Sequence, residues 1–239
     1  MRAQQISHKG KRQTNEDLVL ERFFEQNTYF FSIIDGMGGY GNGDLAARMI
    51  AENMETYLST VSTIGAYHIQ KAINKSNLAI RQKNAERSIQ MGAALGGVIL
   101  KDRQALFYWV GDVKIFHFRG GKLIFESSAH TLANELRQSG SITAAERLSR
   151  YKHVVTRSIS GDSKSAAADF HETVFSPHSD LIIVCTDGVH DLWDGLQLET
   201  MIQENHEETL LEVLKTRLLH EAADNFSLGL LSSQTVANI

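Results

Sequence analysis

The sequence predicts an α+β fold in a single domain spanning residues 1–239. Three observations carry that prediction. Short apolar runs crowd the middle of the chain, segments with helical spacing flank them, and strands and helices do not alternate as regular βαβ units. No internal repeat or Pro/Ser-rich linker divides the chain.

The elements follow in order. YFFSII, residues 29–34, is a short aromatic and β-branched run that predicts a buried strand ending at Asp35-Gly36. Leu45, Met49, Met54, Tyr57 and Leu58 recur near helical spacing between Asp44 and Leu58, and Ile69, Ile73 and Ile80 do so between Ile69 and Arg87. ALGGVIL, ALFYWVG, KIFHF and KLIF, separated by KDRQ, GD and RGG, predict an antiparallel meander. Residues 131–150 return to helical character. DLIIVCTDG, residues 180–188, predicts a second buried strand ending in Asp-Gly. Residues 196–221 predict two helical pieces, and FSLGLL a last strand.

Composition narrows the function classes. A formal charge of −4 without a long basic run argues against nucleic acid as the main partner. No apolar run approaches a membrane span, and the first residues, MRAQQISHKGKRQTNED, contain no apolar signal core. The single Cys185 excludes an internal disulfide and fits a reducing compartment. A cytoplasmic location is the expectation.

Five aspartates flank the apolar runs: Asp17 before LVL, Asp35 after YFFSII, Asp112 after LFYWVG, Asp187 after LIIVCT and Asp224 before FSLGLL. Any one of them beside Gly or Asn is explained as a turn former. As a set they imply more, because carboxylates beside such apolar runs need partners. If they converge, protons or cations must relieve their repulsion, and oxygen ligands without clustered Cys or His favour Mg²⁺ or Mn²⁺ over zinc. DGMGGYGNGDLAA adds five glycines within eight residues, a cluster whose ordering cost demands a reason.

GKRQTNED at 10–17, DGMGG at 35–39, GD at 111–112, TDGVHD at 186–191 and DN at 224–225 together resemble the metal-dependent protein phosphatases of type 2C, the PPM family, in its compact bacterial form. The resemblance covers nearly the whole chain, in order. It implies a central antiparallel β-sandwich flanked by helix pairs, in four α/β/β/α layers, with a small flap at about 131–165. It implies two Mn²⁺ or Mg²⁺ ions and a third held weakly. Asp35 would bridge the pair, Asp187 and Asp224 would complete one site, and Glu16 with the carbonyl of Gly36 the other. Asp17 would orient the attacking water, Arg12 would grip the substrate phosphate, and Asp112 with Asp187 would hold the third ion.

The activity so implied is hydrolysis of phosphoserine and phosphothreonine in proteins by water or hydroxide bridging the metals, opposing a bacterial serine/threonine kinase. The partners implied are a phosphorylated protein and that kinase, with no nucleic acid and no membrane span; a monomer is expected. The alternative is a pseudophosphatase that binds a phosphoprotein without cleaving it. A nucleotide phosphodiesterase fits less well.

The chain departs from the family pattern in three places. Met37 stands where several members carry a histidine that could protonate the leaving group; His190 is a candidate replacement, with packing as its simpler reading. MGAALGG carries alanines where hydroxyls are expected, which predicts a packing variation. GDVK replaces the commoner Gly-Asp-Ser-Arg.

Overall fold

The computed structural model describes residues 3–25, 27–38, 42–142, 144, 148–162, 164 and 166–232. Among them, ten strands form two five-stranded antiparallel sheets. The first sheet runs β1 (Gln4–His8), β10 (Phe226–Leu231), β9 (Asp180–Cys185), β6 (Lys114–Arg119), β7 (Lys122–Glu126). The second runs β2 (Asp17–Phe24), β3 (Thr28–Gly38), β4 (Met91–Lys101), β5 (Gln104–Val110), β8 (Asp169–Val174).

Side-chain parity on β3 shows how the layers form. Phe30 and Ile34 face outward into a cluster with Ile50 and Met54 of α1 (Asn42–Leu58) and Ile69 and Ile73 of α2 (Ala66–Arg87). Tyr29, Phe31 and Ile33 face the other way and meet Phe107 of β5 and Ile182 and Val184 of β9 between the sheets. On the far side, Phe116, Ile183 and Leu228 pack against Leu210, Leu214 and Leu218. These leucines belong to α6 (Glu207–Glu221), which follows α5 (Gly195–Glu204); two short helices, α3 (Leu132–Gln138) and α4 (Asp187–His190), precede them. The result is the expected α/β/β/α sandwich. Each such fully buried side chain contributes roughly 1.5–3 kcal/mol. Burial on both faces also makes the strands read as unbroken apolar runs.

The same parity aims the acids. Asp35 shares the face of Phe31 and Ile33, so its carboxylate lies on the inter-sheet side at the end of the sandwich. Asp17 is its register partner on β2.

The expected four-stranded meander is two hairpins instead. β4 pairs with β5 and β6 with β7, but β5 and β6 lie in different sheets. The chain crosses between sheets at Gly111-Asp112-Val113. Gly111 has φ +98°, and a Cβ there would lie 2.4 Å from the Cβ of Ala94. The Ala93-Ala94 pair thus accommodates the crossing: Ala94 lies under Gly111, and Ala93 bridges Ile159. The predicted break between the last two helices falls at Asn205 and His206, and α5 begins with a capping box between Asp194 and Gln197.

Between β7 and β8, α3 and a 3₁₀ turn at Ser149–Tyr151 are tied down by the Thr131–Val155 bridge. Thr143, residues 145–147, Ser163 and Ser165 of the expected flap lie outside the described residues, as do Gly39 and Gly41 of the glycine cluster.

Candidate metal and phosphate site

The loop joining β1 to β2 carries Arg12 and Glu16, and Asn225 holds it in place. The Asn225 side chain donates to the carbonyls of Lys9 (3.0 Å) and Thr14 (2.8 Å) and accepts from the Glu16 amide (2.9 Å). One side chain therefore ties three points of the loop to the start of β10, next to Asp224. Arg12 donates to Asp224 Oδ2 at 2.6 Å, and the Asn225 amide donates to Asp224 Oδ1 at 2.8 Å. Arg12 is 61% exposed and stands at the lip of the cleft.

Gly36 and Gly43 explain part of the glycine cluster. A Cβ on Gly36 would lie 2.2 Å from the Gly43 carbonyl oxygen, and one on Gly43 would lie 2.6 Å from Glu16 Oε2. The Gly36 amide donates to the Glu16 carbonyl at 3.2 Å. The end of β3, the start of α1 and Glu16 can approach this closely only without side chains at both positions.

Asp17 sits behind the cleft. It is buried, and Thr186 donates its hydroxyl to Asp17 Oδ2 at 3.1 Å while accepting from the Ser227 amide at 2.9 Å. Among the described residues, Asp17 Oδ1 is buried without a hydrogen-bond partner. Asp187 opens α4 directly after β9, and Asp112 lies on the inter-sheet crossing.

These residues converge on one cleft of about 530 Å³, with Arg12, Glu16, Asp35, Gly36, Asp112, Asp187 and Asp224 in its lining. All the sequence-predicted site residues except Asp17 line it, and Asp17 backs it through Asp35. Burial pushes the Asp35 carboxyl well above its usual range, and the charges of Asp17, Asp187, Asp112 and Asp224 push it further. The residue is half-buried and lines the cleft, where the surrounding protein excludes most water. Asp17 and Asp187 are each raised to about 7, by burial first and neighbouring carboxylates second. Burial also raises Glu16 and Asp112. Such a group of oxygen donors stabilises cations and is destabilised by its own charge.

Four residues carry parts of the site that sequence reasoning did not assign. Asn225 and Thr186 act through the contacts above. Asp191, one turn beyond Asp187, and His153 bring their ligand atoms within 4.8 Å of one another and of Asp187, the tightest such trio among the described residues. Asp191 was legible as the i+4 neighbour of Asp187; His153 comes from a distant segment and was not.

His190 is not placed to protonate a leaving group. It is half-buried, loss of water lowers its pKa to about 4, and its Nε2 bonds the Asp112 carbonyl at 2.8 Å. It supports the loop that presents Asp112. Lys114 of GDVK turns away to pair with Glu126.

Comparison with known proteins agrees with this architecture. The family model described as protein phosphatase 2C matches residues 4–226. The protein phosphatase PhpP of Streptococcus pneumoniae is 27% identical over 200 residues, 80% of each chain. The serine/threonine phosphatase PstP/Ppp of Mycobacterium tuberculosis has the same fold, with a TM-score of 0.82 at 20% identity over 96% of this chain and 97% of the other. The catalytic domain of PstP in complex with two manganese ions superposes with a TM-score of 0.78, at 20% identity and 96% coverage of both chains. Because the family match covers most of the chain, including every residue that lines the cleft, the chain belongs to the protein phosphatase 2C family.

Proposed function

We propose that this family member hydrolyses phosphoserine and phosphothreonine in proteins, with Mn²⁺ or Mg²⁺ held in the carboxylate cleft. The observation that carries the reading is the convergence of Glu16, Asp35, Asp187 and Asp224 on one cleft beside the cationic Arg12.

The residues fit such ions. The donors are hard oxygens, several are raised by burial and mutual repulsion, and the unpartnered Asp17 Oδ1 leaves acceptor capacity behind Asp35. Asp35, Asp187 and Asp224, with Glu16 and the Gly36 carbonyl, would hold two ions; Asp112 and Asp187 would hold a third more weakly. The two manganese ions in the PstP catalytic domain support that count. When bound, the ions supply positive charge against the phosphate dianion and make water acidic enough to attack at neutral pH.

The protein's own groups do the rest. Arg12 presents a planar fork of donors to the phosphate oxygens at the cleft lip. Asp17 accepts a hydrogen bond from Thr186 behind Asp35, and from there would help to orient the attacking water. Met37 cannot protonate the leaving alkoxide, and His190 is committed to Asp112. Val155 and His153 bring the 131–165 segment to the cleft rim, which supports its reading as a flap.

No observation favours a pseudophosphatase, since every ligand position is filled. Among the described residues no helix is long and apolar enough to cross a membrane. Phosphoproteins as substrates are supported by the serine/threonine phosphatases that the chain resembles; a monomer acting in the cytoplasm against a serine/threonine kinase is the biological reading that goes with it.

The purified protein with Mn²⁺ should release phosphate from p-nitrophenyl phosphate and from a phosphothreonine peptide, and chelator should abolish both. Failure to turn over either, with metal demonstrably bound, rejects the proposal.

A further inference from the structure

A second groove, of about 660 Å³, adjoins the catalytic cleft and shares Met37 and Gly38 with it. It opens where β3 and β4 end together, since Met37 and Gly38 are the register partners of Gly92 and Met91. Its walls are fixed by hydrogen bonds rather than left to chance. The Asn84 side chain donates to the carbonyls of Met91 (3.1 Å) and Ser160 (3.2 Å) and accepts from the Met91 amide (3.1 Å). Ala93 and Ile159 exchange two backbone hydrogen bonds alongside, at 3.1 and 2.9 Å. The groove is therefore preformed, as binding sites commonly are.

Its chemistry differs from that of the cleft it joins. In a chain with 22% charged residues, no described residue lining the groove is ionisable. Ile89 and Met91 supply apolar surface, and Gln90 stands exposed beside them. The loop before β2, which contributes Arg12 to the cleft, is basic: Lys9 and Lys11 are exposed next to Arg12.

A phosphorylated side chain entering the cleft is attached to a backbone that must leave over the cleft rim. We infer that the neutral groove receives the residues on one side of the phosphorylated residue, in an extended segment of the substrate protein, and selects uncharged ones. The proposal rests on the phosphatase reading above. Continuity with the cleft supplies the occupant, and the missing charges supply the preference, because a charged side chain would lose water there without gaining a partner.

The test compares phosphothreonine peptides that carry neutral, acidic or basic residues on one side or the other, using the Mn²⁺-loaded full chain. For one side, neutral flanks should give kcat/KM about 5-fold above either charged series, through KM. The Gln90→Glu variant should weaken acidic-flanked peptides about 3-fold relative to wild type, and Gln90→Arg should strengthen them by a similar factor. Both variants should melt within a few degrees of wild type, as expected for an exposed side chain. Wild-type turnover of p-nitrophenyl phosphate, which has no flanking residues, separates the two readings. If it is turned over while peptides show no charge discrimination, or while neither folded Gln90 variant shifts it, the groove proposal falls alone. If neither p-nitrophenyl phosphate nor any phosphothreonine peptide is turned over with metal bound, the phosphatase reading falls and takes the groove proposal with it.

Discussion

Asp17 and Asp35 stand directly opposite each other in the β2–β3 ladder, both on the face turned toward the second layer of strands. Like charges in that relation destabilise a sheet. Here both sites are also poorly hydrated, and Asp187, Asp112 and Asp224 add to the repulsion at Asp35. The ion-free fold therefore carries an electrostatic cost at the place where the proposed chemistry needs negative charge.

Asp35→Asn should remove that cost together with the activity. In chelator the variant should be more stable than wild type by about 1–2 kcal/mol, by denaturant titration. With Mn²⁺, p-nitrophenyl phosphate turnover should fall at least ~1000-fold. A variant less stable than wild type in chelator would mean that Asp35 is held by favourable contacts instead.

Arg12→Ala should raise KM and lower kcat/KM by about 10- to 100-fold, because a charge-assisted, two-pronged contact to phosphate is lost. Arg12→Lys should recover only part, since an ammonium lacks the fork. Steady-state kinetics on p-nitrophenyl phosphate decide this without a peptide.

Asn225→Ala should leave three backbone groups of the Lys9–Glu16 loop and its junction without their partner. A loss of about 1–3 kcal/mol is expected, along with weaker Mn²⁺ binding by calorimetry, because Glu16 is no longer fixed. Unchanged Mn²⁺ affinity would confine Asn225 to a structural role.

Gly36→Ala should cost about 2–4 kcal/mol, because the new methyl group would meet backbone at Gly43 and Glu16 rather than a flexible side-chain tip. Thermal melting with and without Mn²⁺ measures it. Gly120→Ala is the informative control: nothing lies near its Cβ position, and only its φ of +55° opposes the change, so its effect should be smaller.

Asp180 lies far from the cleft and gives a clean pH prediction. Burial alone would raise its pKa, but Arg119, the Ser176 amide and His117 hold it well below the usual carboxylate range. A depressed carboxylate contributes stability that is complete above the unfolded value of ~3.9 and is lost as pH falls below it. The stability gap between wild type and Asp180→Asn, about 2–3 kcal/mol, should thus be level from pH 5 to 8 and close below about pH 4. Chemical denaturation across that range checks it.

Much of this protein was legible in its sequence because apolar runs and acids meet at fixed places. YFFSII-Asp35 and LIIVCT-Asp187 announce both a buried strand and the side chain that leaves its end. β1 and β8 were missed since they are edge strands, half exposed and alternating in character, with few apolar residues. The meander was misjudged because β4, β5 and β6 are buried on both faces, which erases the period that would reveal which sheet each strand joins. The roles of Asn225, Thr186 and His153 were unreadable for another reason: Thr186 and Asn225 meet Asp17 and Glu16 across 169 residues or more, and His153 meets Asp187 from a separate segment of the chain.

The crossing at Gly111-Asp112-Val113 has a consequence for how activity is acquired. Glu16, Asp17 and Asp35 belong to one layer, Asp187 and Asp224 to the other, and Asp112 to the link between them. Neither half can assemble a competent centre alone. During refolding, enzymatic turnover should return only with the docking of the two halves, so recovered catalysis is a clock for that late association rather than for the earlier appearance of strands.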